Sequence, residues 1–259
     1  MIFARTLLYP EERRSVILDR LNRERRVTVS SLAEAFGVSE VTIRTDLQAL
    51  AGRALIVRTH GGAVVARPLP EAALTLRRQL QTAQKERIGL AAANLVLDGE
   101  AIFLDTSSTA LALAAHLRER RGLTLLTNSI VVAQNLLDAV GVTVVIPGGV
   151  LQRDTASLIG TEGLSLLRRY NICKGFFGAH GVSLAEGLTD VYASEAEVKR
   201  SVFSLCRERI AITDGTKWGQ VGAASFTRLE DLDAIITDDS APDELVEQVR
   251  SMGVDIKIV

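Results

Sequence analysis

Residues 101–109 read Ala-Ile-Phe-Leu-Asp-Thr-Ser-Ser-Thr, an apolar run that ends in one acid and a cluster of hydroxyls. If the run is a buried strand and the hydroxyls open a helix, Thr106, Ser107, Ser108 and Thr109 join the terminal N–H groups in a cradle for an anion. Asp105, at the strand tip, would accept hydrogen bonds from sugar hydroxyls. The plainer reading is ordinary helix capping by Ser107 or Ser108. Residues 127–129, Thr-Asn-Ser, repeat the layout and bring in Asn128, and Gly148-Gly149 follow a third apolar run. Three polar or glycine-bearing tips in succession favour a ligand crevice over three unrelated turns.

Further acids and bases fall near the same kind of position. Glu195 and Lys199 are spaced i, i+4 on an expected helix. They are either a surface ion pair with little stabilising effect or a way of aiming Lys199 at a ligand's phosphate or hydroxyls. Asp214 and Lys217 follow another apolar run, with Trp218 beside them as packing rather than a stacking platform. His180, in Gly-Ala-His-Gly, either reaches the crevice or caps a turn.

A second set of groups lies near the N-terminus. On a helix over 40–50, Ile43, Leu47 and Leu50 share one stripe and should pack on a core. Val41, Arg44, Thr45 and Gln48 then face outward, with Thr42 on the flank. Arg and Gln suit bidentate contacts with guanine and adenine edges in a major groove. Ser39, Thr42 and the helix N-terminus can hold phosphate. Arg58 and His60, and Arg13 and Arg14 near a first helix, are further phosphate candidates. The bland alternative is a solvated hairpin whose arginines face water.

The elements that must position these groups form two blocks. A first helix follows Pro10 and carries Val16, Ile17, Leu21 and then Val27. A second opens on the hydroxyls of Ser30-Ser31 and ends at Gly37, and the third starts after Ser39. Two short helices around a glycine turn, followed by two strands around Gly61-Gly62, make a winged helix-turn-helix. Downstream, strand-like runs at 101–105, 123–127, 142–147, 175–179, 209–213, 234–237 and 255–259 alternate with helical stretches at 84–97, 108–121, 130–138, 160–170, 193–206 and 243–252. Such alternation implies βαβ units and a mostly parallel sheet covered on both faces. Pro68 and Pro70 mark the connector. The expected division is a head over 1–67, a linker over 68–76 and an α/β body over 77–259.

Charge supports the cut. Residues 1–70 hold eleven arginines, no lysine and seven acids, a net +4, and the remainder is net −5. A basic head on an acidic body implies a polyanion partner for the head alone. Of the 259 residues, 47% are apolar and 24% charged, enough for a normal core. No apolar run is long enough to span a bilayer, and the first residues lack a signal peptide's order of parts. Two distant cysteines and three scattered histidines make neither a disulfide framework nor a zinc site. The chain is read as soluble, reduced and cytoplasmic, with no metal, no cofactor and no membrane partner.

Residues 38–47, Val-Ser-Glu-Val-Thr-Ile-Arg-Thr-Asp-Leu, with Arg53 and with Arg-Thr-His-Gly-Gly-Ala at 58–63, resemble the N-terminal signature of DeoR-family bacterial transcription regulators. Thr45 stands where that family usually has a second basic residue, which implies a changed affinity or operator preference. The body is similar to the family's effector domain, related in fold to ribose-5-phosphate isomerases and CoA transferases. The segments that carry this likeness are 105–109, 127–129, 148–149, 178–181, 195–199 and 214–217. The resemblance implies a repressor of a sugar-metabolism operon that binds a double-stranded operator as a dimer or tetramer and senses a phosphorylated sugar. Ser107 replaces a more usual glycine. His180 stands where the isomerases carry a proton-transferring carboxylate, so no catalytic residue is assigned and binding is favoured over turnover. The competing readings are a sugar-phosphate isomerase or CoA-transferase-like enzyme with an accessory head, and an interaction module without small-molecule control.

Overall fold

The computed structural model describes residues 9–24, 26–52, 56–59, 61–65, 77–160 and 162–259. His60 and the expected 68–76 connector lie outside them. The chain divides into two compact units, Met1–Thr82 and Ala83–Val259.

The first unit is built from α1 (Pro10–Glu24), β1 (Arg26–Thr28), α2 (Val29–Phe36), α3 (Glu40–Gly52), β2 (Ile56–Thr59) and β3 (Gly62–Val65). Its turn is set by Gly37, whose φ of 64° and ψ of 32° close α2 in the left-handed region that glycine enters without strain. The side-chain cap of α2 is Thr28, which accepts from Ser31 N at 3.2 Å, rather than Ser30. Ser39 Oγ caps α3 by accepting from Thr42 N at 3.1 Å.

Val27 does not continue the first helix. It is a buried residue of β1 and pairs antiparallel with Ala63. The reason is the wing: a lone two-stranded hairpin is marginal, and a third strand gives it an inner face. The sheet order is β1-β3-β2. Ile17, Leu18, Leu21, Val27, Leu32, Ile43, Leu47, Leu50 and Ile56 form one core.

In the second unit seven strands make one parallel sheet: β4 (Ala101–Leu104), β5 (Leu123–Thr127), β6 (Val142–Val145), β9 (Lys174–Phe177), β12 (Glu208–Ile212), β14 (Ala234–Thr237) and β15 (Asp255–Ile258). Their order is β15-β14-β12-β9-β4-β5-β6. Each coincides with one of the seven apolar runs. Alternate residues feed opposite cores: Phe103, Leu126, Phe177, Ala211 and Ile235 on one face, Ile102, Leu125, Phe176, Ile210 and Ile236 on the other. The covering helices are α4 (Thr82–Ala93), α5 (Ser108–Ala115), α6 (Ile130–Asn135), α7 (Leu164–Leu167), α8 (Ala193–Phe203) and α9 (Asp243–Ser251).

Five short strands were not legible as strands. β7 (Val150–Gln152) and β8 (Ser157–Ile159) form a hairpin, and β10 (Gly181–Ser183), β11 (Gly187–Asp190) and β13 (Ala224–Thr227) form a small antiparallel sheet. At three or four residues each they are too short to show a period of two.

The chain runs β4 to β5 to β6 outward in one direction, then returns to β9 on the other side of β4 and proceeds outward the opposite way. The strand order therefore reverses between β4 and β9. In open parallel sheets the crevice beyond the strand ends at that point is where ligands bind. Among the described residues no helix is long and apolar enough to cross a membrane.

Candidate functional site

On α3, Ile43, Leu47 and Leu50 are buried as the stripe demands. Ser39, Val41, Arg44, Thr45 and Gln48 are exposed and Thr42 is half-buried, so one helix side carries all six expected contacts. Arg44 Nη2 donates to Glu40 Oε2 at 2.6 Å across one turn, with both side chains about half exposed. Arg58, exposed on β2, donates to Gln48 Oε1 and ties the wing to the helix. The edge that faces outward thus presents two amide or guanidinium forks and three hydroxyls, the side-chain types that read base edges and hold phosphate.

Arg13 is buried away from any phosphate, and Arg14 is drawn inward beside it. Arg13 Nε donates to Asp46 Oδ2 at 2.6 Å and Arg14 Nε to Asp46 Oδ1 at 2.9 Å, and Arg13 and Asp46 are both buried. Asp46 follows Ile43 by three and precedes Leu50 by four, so it sits on the inward stripe. A carboxylate there must be paired, and α1 supplies both cations. An acid on an apolar stripe was the available signal, and the sequence reading passed over it. The clamp fixes the roll of α3 about its own axis.

In the body, the β4 and β9 tips meet. Asp105 Oδ2 accepts from Gly178 N at 2.8 Å and lies 2.7 Å from Lys199 Nζ, while Oδ1 accepts from Ser107 N at 2.9 Å. The approach requires glycine: a Cβ on Gly178 would lie 2.4 Å from Ser107 Cβ. Lys199, reaching in from α8, also pairs with Asp190 Oδ2 at 2.7 Å and donates to the Gly178 carbonyl at 2.7 Å. Glu195 accepts from Thr106 Oγ1 at 3.0 Å and Ser157 Oγ at 3.2 Å. Asp105, Asp190, Glu195 and Lys199 are all buried.

Burial alone would lower the Lys199 pKa, but Asp105, Asp190 and Glu195 together hold it above the ordinary lysine value. Burial pushes the Asp190 carboxyl up, and the attraction of Lys199 does not cancel that.

This geometry corrects several expectations. Glu195 and Lys199 are no surface pair, and Lys199 is not directed at a ligand: two carboxylates and a carbonyl occupy it. Asp105, with zero exposure, has both oxygens engaged and cannot accept from a sugar hydroxyl. Thr106 spends its hydroxyl on Glu195. Asn128 is buried, and its Nδ2 donates to the Leu158 carbonyl at 3.0 Å, holding the β7–β8 hairpin. These five lie inside the body, each bonded to a neighbour there. Ser157 and Asp190 take part in the same bonds and were missed, because each sits in a short antiparallel strand.

Ser107 takes the capping role, its Oγ accepting from Ala110 N at 3.0 Å. Intrahelical bonding resumes with Leu111 N, which leaves the Ser108 and Thr109 N–H groups at the open helix end. Ser107 and Ser108 are half-buried and Thr109 buried; Gly148, Gly149 and His180 are exposed. At the β12 tip, Asp214 Oδ1 caps the short turn Gly215–Lys217 by accepting from Thr216 N at 3.1 Å. Asp214 Oδ2 and Thr213 Oγ1 are buried with no hydrogen-bond partner among the described residues. Lys217 is half-buried, and Trp218 is buried, donating to Thr237 Oγ1 at 3.1 Å, which makes it packing.

Two hollows lie elsewhere in the body. One of about 270 Å³ is apolar and lined by Val182, Leu184, Trp218 and Leu245; the other, of about 660 Å³, is bordered by Arg200, Arg209 and Arg228. Neither is lined by the β4 tip.

Comparison with known proteins addresses both units. The family described as DeoR-like helix-turn-helix domain matches residues 13–68, and the DeoR C terminal sensor domain matches residues 80–239. The chain is 34% identical to the HTH-type transcriptional regulator GolR of Listeria innocua, over 97% of this chain and 99% of that protein. It is 27% identical to the glycerol-3-phosphate regulon repressor of Escherichia coli, over 95% and 98%. A solved ribose 5-phosphate isomerase A from Methanocaldococcus jannaschii aligns at 19% identity over 52% of this chain and 53% of its own, with a TM-score of 0.39. A helix-turn-helix with an outward polar face and a seven-stranded parallel α/β body, each matched by its own family model, place the chain in the DeoR family of transcriptional regulators.

Proposed function

We propose that this chain is a repressor of a sugar-metabolism operon whose grip on its operator is altered by a phosphorylated sugar or related metabolite. Ser39, Val41, Thr42, Arg44, Thr45, Gln48 and Arg58 meet the DNA, and His60 belongs with them by its place in the sequence motif at 58–63. The observation that carries the DNA half is the clamped roll of α3, which leaves Arg44 and Gln48 together on the open side. Arg44 must leave Glu40 to reach a base, a small cost for a half-exposed pair. Arg44→Ala should weaken operator binding about 5- to 150-fold and relax preference at one base pair, as quantitative footprinting on an operator library would show. Unchanged preference removes Arg44 from the readers.

The sensing half rests on the switch point between β4 and β9. Its usable groups are Ser107, Ser108 and Thr109 with the open end of α5, Gly148 and Gly149, His180, Asp214 and Lys217. The helix end and Lys217 suit an anion, and the orphaned Asp214 Oδ2 suits a ligand hydroxyl. Asp105 and Lys199, engaged by one another and by Ser107, Gly178 and Asp190, support this set without touching the ligand. Asp105 and Lys199 are thereby withdrawn from acid–base chemistry, which favours binding over turnover. The relative named for a glycerol-3-phosphate regulon supports a phosphorylated effector class.

One head spans few base pairs, so a homo-oligomer on paired half-sites is part of the proposal. Residues 68–76 serve as connector between the reader at 1–67 and the sensor, expected from 77 and set by the compact unit from Ala83. Titrating sugar phosphates into an operator complex should change its affinity by roughly 5- to 150-fold for the right compound, and DNA must weaken that compound's binding by the same factor. If no sugar phosphate shifts the complex, the sensing half fails while the DNA half stands.

A further inference from the structure

The two edges of the seven-stranded sheet are unlike. The β15 edge carries exposed Asp255 and Lys257, the kind of charged edge that resists strand addition. The β6 edge is Val-Thr-Val-Val and pairs only with β5 among the described residues. Its flanks are apolar and open: Leu137 is 81% exposed, Val140 103%, Val150 66% and Leu151 56%, with Ile146 at the edge of exposure. Of the fifteen residues from 137 to 151 one alone is charged, Asp138, and Arg118 Nη2 holds it at 2.8 Å. Arg118 and Arg120 come up beside 135–141, so it is the run itself that is poor in charge, and exposed apolar side chains with few charges among them have the composition of an interface core.

We infer that the β6 edge, with its flanking residues 137–151, is the surface on which a second copy of this chain docks. Self-association fits it better than any charged partner does. An uncharged β-branched strand can pair antiparallel with its own copy about a two-fold axis without bringing like charges together. Leu137, Val140, Ile146, Val150 and Leu151 expose on the order of 500 Å² per chain, against roughly 800 Å² per partner in a standard interface, and the paired strand backbones supply more. The inference deepens the proposal of two heads on paired half-sites and names the contact that would join them.

Sedimentation of the full chain tests it. The wild-type chain should be dimeric or larger at micromolar concentration, and the surface variant Leu137→Lys/Val140→Asp/Val150→Lys should self-associate at least tenfold more weakly with an unchanged far-ultraviolet circular dichroism spectrum, its melt falling only by what loss of assembly accounts for. The control Ile258→Lys, on the opposite edge, should leave the assembly intact. A Thr143→Cys variant in a Cys173→Ser background should cross-link to its copy on oxidation and lose that cross-link when Val140→Asp is added. A monomeric wild type, an intact assembly in the folded triple variant, or cross-linking indifferent to Val140→Asp each overturns the inference. If the assembly breaks as expected but operator affinity does not change, the interface stands and the paired half-site reading falls.

Discussion

Replacing Lys199 with methionine should destabilise the body by about 3–5 kcal/mol, the usual cost of removing one partner from a buried ion pair. The loss is large because the ammonium answers two carboxylates, Asp105 and Asp190, at 2.7 Å each, and a Gly178 carbonyl. Asp105 also joins the β4 and β9 tips, so its uncompensated charge strains the switch point itself. The pH dependence identifies the mechanism. In the wild type the raised Lys199 pKa means its contribution is fully present below the ordinary lysine range and is lost only as pH rises through that raised value. Asp190, whose pKa burial raises, favours the folded body below the ordinary carboxylate range and loses that contribution as pH rises through its elevated value. Without the cation this second dependence should steepen, so the variant's body should regain stability on acidification. Calorimetry at several pH values, following the body transition, is the measurement. A small, pH-independent loss would mean that the three carboxylates do not depend on Lys199. Loss of effector response in such a variant reports on the interior of the body, and is no evidence of a direct ligand contact.

Asp46→Ala should act with similar force on the head. It takes the buried carboxylate away from Arg13 and removes the second anchor of Arg14, at an expected cost of about 3 kcal/mol. Operator binding should fall further than this stability loss explains, because α3 is then free to roll and Arg44 and Gln48 lose their common heading. Pairing Asp46→Leu with Arg13→Met removes both buried charges and should restore most of the stability. Chemical unfolding of the head, read beside operator affinity, separates the two effects. If Asp46→Ala folds as tightly as wild type and binds the operator equally well, the clamp is not what orients the reader.

Much was legible along the chain. Periodicity placed all seven strands of the parallel sheet, because a strand buried on both faces is written as a continuous apolar run. It also placed the inward stripe Ile43-Leu47-Leu50, and the motif at 38–47 with the wing at 58–63 carried the family. Such signals are local: each depends on residues within one or two turns.

What tertiary structure alone decided is which polar groups are consumed. Arg13 looked like a surface cation until Asp46, thirty-three residues on, was seen facing it. Glu195 and Lys199, four apart, read either as a surface pair or as a cation aimed at a ligand. Instead Lys199 pairs with Asp105 and Asp190, and Glu195 with Thr106 and Ser157. A charge buried in a low-dielectric interior takes whichever counter-charge the packed elements bring within about 3 Å, and sequence spacing does not encode that distance.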